Sequence, residues 1–199
     1  MKTLLSTLLL FALVVAPLTG CGKSVTRIAS DSTTDLSGNW NDTDSRLVAE
    51  EMLNTCLTGP WYQEKSKNGR PIIVIGKISN LTDDHNVNVN TFINDIQRVL
   101  LNSGKVRFVA NSEERQQLRQ EINDQKGNAT DETAKERGQE TGADIMLTGT
   151  INAITDQSGG ERVRFYQIDL LLTDLQSHEK LWIGNKKIKK LIEKSAWKP

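Results

Sequence analysis

Three strand-like runs crowded into the last third leave this chain few architectures. ADIMLTGTINAI (143–154), RVRFYQIDLLLTDL (162–175) and KLWIGNKKIKK (180–190) are separated only by Ser158-Gly159-Gly160 and Gln176-Ser177-His178-Glu179. Connections this short join antiparallel neighbours, whereas parallel strands need a crossover of a dozen residues or more. The end of the chain is therefore expected to be an antiparallel meander. PIIVIGKIS (71–79) has a different pattern, apolar on both faces, which places it inside a sheet. KVRFVA (105–110) alternates as a further strand.

The helical stretches alternate with these strands. NDTDSRLVAEEMLNTCL puts Val48, Ala49, Met52, Leu53 and Cys56 on one stripe, with Asp42 or Thr43 as cap and Gly59-Pro60 as its end. WYQEKSKNG after it reads as a polar loop. Val89, Phe92, Ile93, Ile96, Val99 and Leu100 form a second apolar stripe, closed by Gly104. Asn111 stands three residues before Glu114 and caps the polar helix SEERQQLRQEIND; a second polar helical stretch, DETAKERGQETG, follows. The fold expected is α/β: a mixed sheet of about five strands with three or four packed helices, and no internal repeat.

The N-terminus sets the compartment. Lys2 precedes the apolar run LLSTLLLFALVVAPL, and Leu18-Thr19-Gly20-Cys21 matches a bacterial lipobox. Residues 1–20 are read as a signal peptide and Cys21 as the lipidated residue. GKS (22–24) imitates the end of a phosphate loop, but Pro17 stands where that loop needs its first glycine. Residues 22–42, rich in Ser, Thr, Asp and Gly, read as a tether, and residues 43–199 as one globular domain. Without residues 1–20, 24 basic side chains face 25 acidic ones, a balance giving no support for nucleic-acid binding.

A search for chemistry finds no catalytic constellation. Cys56 lies on the apolar stripe of its helix and reads as core. His85 and His178 sit in polar turns without a second ligand at metal-binding spacing. Glu50-Glu51, Asp83-Asp84 and Glu113-Glu114 are adjacent pairs, which do not converge on one substrate as an acid–base pair does. No cofactor, metal or small-molecule substrate is expected, and the chain is not read as an enzyme. Two features read as contact surface. Asn39-Trp40-Asn41-Asp42 places a tryptophan in polar sequence, where it either meets a partner or staples the tether to the domain. KKIKKLIEKSAWKP carries six lysines, interleaved with Ile188, Leu191, Ile192 and Trp197, suited to an anionic surface or to protecting an edge strand.

GNWNDTDSRLVAEEMLNTCL resembles the segment opening the globular domain of LpoB-type lipoproteins, activators of bifunctional class A penicillin-binding proteins. GADIMLTGTI and EKLWIG resemble later strands of that family. The resemblance implies a domain like the TolB N-terminal domain, lipid-anchored in the outer membrane and facing the periplasm. Such a domain docks on a class A penicillin-binding protein and activates peptidoglycan synthesis allosterically. Trp40, Asn41, Asp42 and Trp182 are the residues offered for the partner contact. The competing reading is a structural subunit of an envelope assembly or export complex of the CsgG type, marked by long barrel-forming hairpins.

Overall fold

The computed structural model describes residues 24–128, 130 and 140–193. Two compact units divide the chain, residues 1–32 and 33–199. Of the first, residues 24–32 carry no helix or strand, and a turn closes where the Ser32 N–H donates to the Ala29 carbonyl at 3.1 Å. Cys21 and the stretch 131–139 lie outside the described residues.

The second unit is an α/β domain. Its helices are α1 (Asp42–Thr58), α2 (Pro60–Lys65), α3 (Val89–Asn102) and α4 (Ser112–Asn128). Its strands are β1 (Ile72–Asn80), β2 (Arg107–Phe108), β3 (Ile145–Ser158), β4 (Glu161–Asp174) and β5 (Lys180–Glu193). They form one mixed sheet in the order β2-β1-β3-β4-β5. β1 runs parallel to β2 and β3, and β3, β4 and β5 pair antiparallel, which is the expected meander. Gly159 and Gly160, with φ of 60° and 97°, make the first of its turns, left-handed positions that a Cβ would strain.

Strand parity decides which face meets the helices. Tyr166, Ile168, Leu170 and Leu172 of β4 are buried at alternate positions, beside Ile145, Leu147 and Ile151 of β3. On β1 the pattern slips: Ile73, Ile75 and Ile78 all belong to the core, although Ile75 and Ile78 are an odd number of residues apart. The register shifts between them, and the extra residue of this bulge returns Ile78 to the core face. Val48, Ala49, Met52, Leu53 and Cys56 of α1 and Phe92, Ile96 and Leu100 of α3 cover that face. The two stripes are those legible from helical spacing.

Four local expectations change. The cap of α1 is Asn41 rather than Asp42 or Thr43: its side chain accepts from the Asp44 N–H at 3.1 Å, and Asp44 accepts from the Asn41 N–H at 3.0 Å. The stretch after Gly59 is not a loop but α2, started by Pro60 at its first turn and held by Trp61, whose indole N–H donates to the Cys56 carbonyl at 2.8 Å. The ladder at 105–110 shrinks to Arg107–Phe108. The compact unit that holds the domain takes in residues 33–42, where Asp35, Asn39 and Trp40 are bonded to Lys190, Arg164 and Asp84.

Candidate functional site

The segment 33–41 is held to the domain by two linked polar clusters on the helix-facing side of β4 and β5. Asp84 anchors the first. Its carboxylate accepts the Trp40 N–H at 2.8 Å, the Asn86 N–H at 2.9 Å and side-chain amide at 3.0 Å, and the Tyr166 hydroxyl. Burial alone would raise the Asp84 carboxyl, but these donors and the nearby Arg164 hold it below the ordinary range. Burial, then the Asp84 carboxylate, pushes the Tyr166 phenol upward. Arg164 of β4 is itself buried; it donates to Asn39 Oδ1 at 2.7 Å and to Asp83 Oδ1 at 2.6 Å. Adjacent Asp83 and Asp84 thus point to different tasks, as neighbouring carboxylates do when they share no substrate.

Lys190 of β5 organises the second cluster. Its ammonium donates to Asp35 at 2.7 Å, Asp44 at 2.6 Å and the Asn39 carbonyl at 3.1 Å. Burial works against its charge, yet the hydrogen bonds to Asp35 and Asp44 raise Lys190 above its ordinary value. Asp35 is lowered, first by its bond to Lys190. Lys186 pairs with Glu51 of α1. Two lysines of the basic stretch are therefore structural, Lys187 and Lys189 are exposed, and Trp197 lies outside the described residues.

Trp40 is a core residue, 5% exposed, with its ring edge-on to Phe92 at 6.1 Å and to Tyr166 at 5.6 Å. That is a correction to its place among the surface contacts: an indole so enclosed staples the segment and presents nothing to a partner. Asn41 is spent on the helix cap and on Asp35. Asp42 is exposed at the start of α1. Trp182 is half-buried at the other end of β5, packed against the core. Asp44 and Glu51 of α1 pair with Lys190 and Lys186 of β5, so helix and strand run in opposite directions. Asp42 and Trp182 consequently sit at opposite ends of this pair and form no single patch.

Trp182 lies over Gly184, where a Cβ would come within 2.1 Å of the indole ring. Gly184→Ala is expected to displace that ring and cost about 1–3 kcal/mol, measured as a lowered urea midpoint.

Cys56 is buried, and burial pushes its thiol up to about 12, the environment of a structural rather than nucleophilic cysteine. Among the described residues no group of three or more His, Cys, Asp or Glu is placed to hold a metal ion. Two open cavities stand out. One of about 700 Å³ is lined by Lys65, Arg70, Arg107, Asp144 and Asp174, with Lys65 paired to Asp174 at 2.7 Å. Another of about 970 Å³ has Val74, Ile93 and Met146 beside Arg119 and Glu140, which are paired at 2.6 Å. Strands β3–β5 have the length of barrel strands, but their outward face carries Asp169, Asn185, Lys187 and Lys189, a surface unsuited to hydrocarbon.

The polar clusters were missed in the sequence, yet parity could have found them. Arg164 shares a face with Tyr166, Ile168 and Leu170, and Lys190 with Ile188 and Ile192. A cation on the apolar face of an alternating strand calls for a buried acidic partner.

No curated protein sequence matches the chain. Similar solved structures are the LpoB C-terminal domains of Salmonella enterica (13% identical, covering 76% of this chain and 99% of that one, TM-score 0.41) and Escherichia coli (16%, 73% and 96%, TM-score 0.40). Lipoprotein GNA1162 of Neisseria meningitidis is 13% identical, over 64% of this chain and 88% of that one, with a TM-score of 0.40. The sequence profile of the family described as the peptidoglycan-synthase activator LpoB matches residues 44–188. That span runs from the capping box of α1 through all five strands to the lysine stretch of β5, and on it the chain belongs to the LpoB family of peptidoglycan-synthase activators.

Proposed function

We propose that this chain is lipidated at Cys21, anchored in the outer membrane facing the periplasm, and activates a class A penicillin-binding protein by docking on it. The observation that carries this reading is the family match over residues 44–188. The mechanism is a population shift: the domain binds the active conformation of the synthase more tightly than the resting one, raising glycan polymerisation and crosslinking. A tenfold preference corresponds to about 1.4 kcal/mol of differential contact, so a modest surface suffices and no catalytic side chain is required. Asp42 and the exposed part of Trp182, at opposite ends of the α1–β5 pair, are offered as alternative docking contacts rather than as one surface.

Eleven residues separate Cys21 from Thr33, which bounds the reach of the anchor at about 40 Å when the chain is fully stretched. No helix among the described residues is long and apolar enough to cross a membrane.

Crosslinked pulldown of the tagged protein from its native envelope tests the partner. A class A penicillin-binding protein is expected in the eluate, and Cys21→Ala is expected to release the protein from the membrane fraction. An eluate without any peptidoglycan synthase contradicts the reading.

A further inference from the structure

We infer that the free edge of β5 is a docking site for an extended acidic peptide segment, which adds to the sheet as a sixth strand with two carboxylates against Lys187 and Lys189. The site stands apart from the synthase reading and does not depend on which protein the domain activates.

β5 is the outermost strand on its side of the sheet and is paired along its length only with β4. Among the described residues, no backbone hydrogen bond from elsewhere reaches residues 181–193. The opposite edge, β2, offers only Arg107 and Phe108. β3 is also open on its β1 side beyond Ile151, but only over residues 152–158. Among the described residues the fourteen-residue β5 therefore offers an extended chain the longest row of backbone partners.

Its charges select the partner. On the helix-facing side of β5, Lys186 and Lys190 already hold carboxylates of this chain, those of Glu51, Asp35 and Asp44. On the outward side Lys187 and Lys189 are exposed, and their neighbours on β4 are Gln167 and Phe165 rather than acids. The nearby Asp169 is bonded to Gln167 and Asn185. Beyond the two lysines lie Ile183 and Leu191, 72% and 60% exposed. Side chains of an added strand would stand beside Ile183, Asn185, Lys187, Lys189 and Leu191 on that face. The strand that fits places apolar, polar, acidic, acidic and apolar residues at alternate positions.

A second copy does not meet this description. Two β5 edges paired antiparallel around Ile188 set Lys187 of each against Lys189 of the other, and like charges directly opposite are destabilising. The lysines thus disfavour self-pairing in the register that overlaps most of the strand, while remaining open to an acidic chain.

The test uses the full chain and the synthetic peptide Val-Thr-Glu-Thr-Glu-Thr-Asn-Thr-Val, whose order matches β5 read antiparallel. Titration should be saturable, should slow amide exchange in β5, and should weaken with salt. The double variant K187E/K189E, with an unchanged urea midpoint, should bind roughly tenfold more weakly. A peptide with lysine in place of both glutamates should not bind, and alternate N-methylation should abolish binding while keeping the charges. Absence of saturable binding, protection confined to amides outside β5, or equal affinity for K187E/K189E would each overturn the proposal.

Discussion

Trp40→Ala will lower the free energy of unfolding by about 3–5 kcal/mol, measured by urea denaturation. The indole fills space between Phe92 of α3 and Tyr166 of β4, and its removal leaves a cavity with walls on a helix and a central strand, neither free to collapse. Trp40→Phe keeps most of the volume and should cost far less. Asp42→Ala, two residues on but exposed, should change stability little. A Trp40→Ala protein as stable as the parent would mean that residues 33–41 are not part of the domain.

Asp84→Ala should be comparably severe, about 3–5 kcal/mol, because it strands several partners at once. The Trp40 N–H loses its acceptor inside the core, the Tyr166 hydroxyl is left with only the Gly38 carbonyl at 3.5 Å, and Arg164 loses a nearby counter-charge. Tyr166→Phe removes only one donor and should cost about 1–2 kcal/mol. The same carboxylate sets the acid limit. Its folded value lies below the ordinary 3.8, so its contribution is present above that pH and is lost as pH falls through the folded value. Lys190 works the other way. It is raised above 10.5, so its contribution is complete below that pH and disappears as pH rises through the folded value. Stability should therefore be flat between about pH 4 and pH 10 as far as these two groups decide it. A stability difference between the parent and Asp84→Ala that changes between pH 5 and pH 9 would contradict this assignment.

Much of the fold was legible because its elements announce themselves locally. The stripes of α1 and α3 repeat at helical spacing, and two short turns force β3, β4 and β5 into a meander. What escaped depends on tertiary context. α2 is short, and Trp61 is its one buried side chain, with Tyr62 packed beside it; six residues give no helical repeat to read in the sequence. The β1 bulge is invisible until Ile75 and Ile78 are seen on one face. The segment around Trp40 looked like tether because its neighbours are Asn and Asp, yet those polar groups are themselves bonded into the domain, Asn39 to Arg164 and Asp35 to Lys190. The contact residues were the least legible part. A docking surface is defined by what stays exposed after folding, and sequence alone could not show that Trp40 is consumed by the core while Asp42 is not.

The proposed function is to raise the activity of a peptidoglycan synthase by binding it, without chemistry of the chain's own. Its most direct test is the rate of glycan polymerisation and peptide crosslinking by a purified class A penicillin-binding protein, with and without the purified full chain. A saturable increase in both rates is expected, with no turnover of the lipid-linked substrate by the chain alone. Unchanged rates at concentrations where the two proteins bind, or no binding at all, would contradict it.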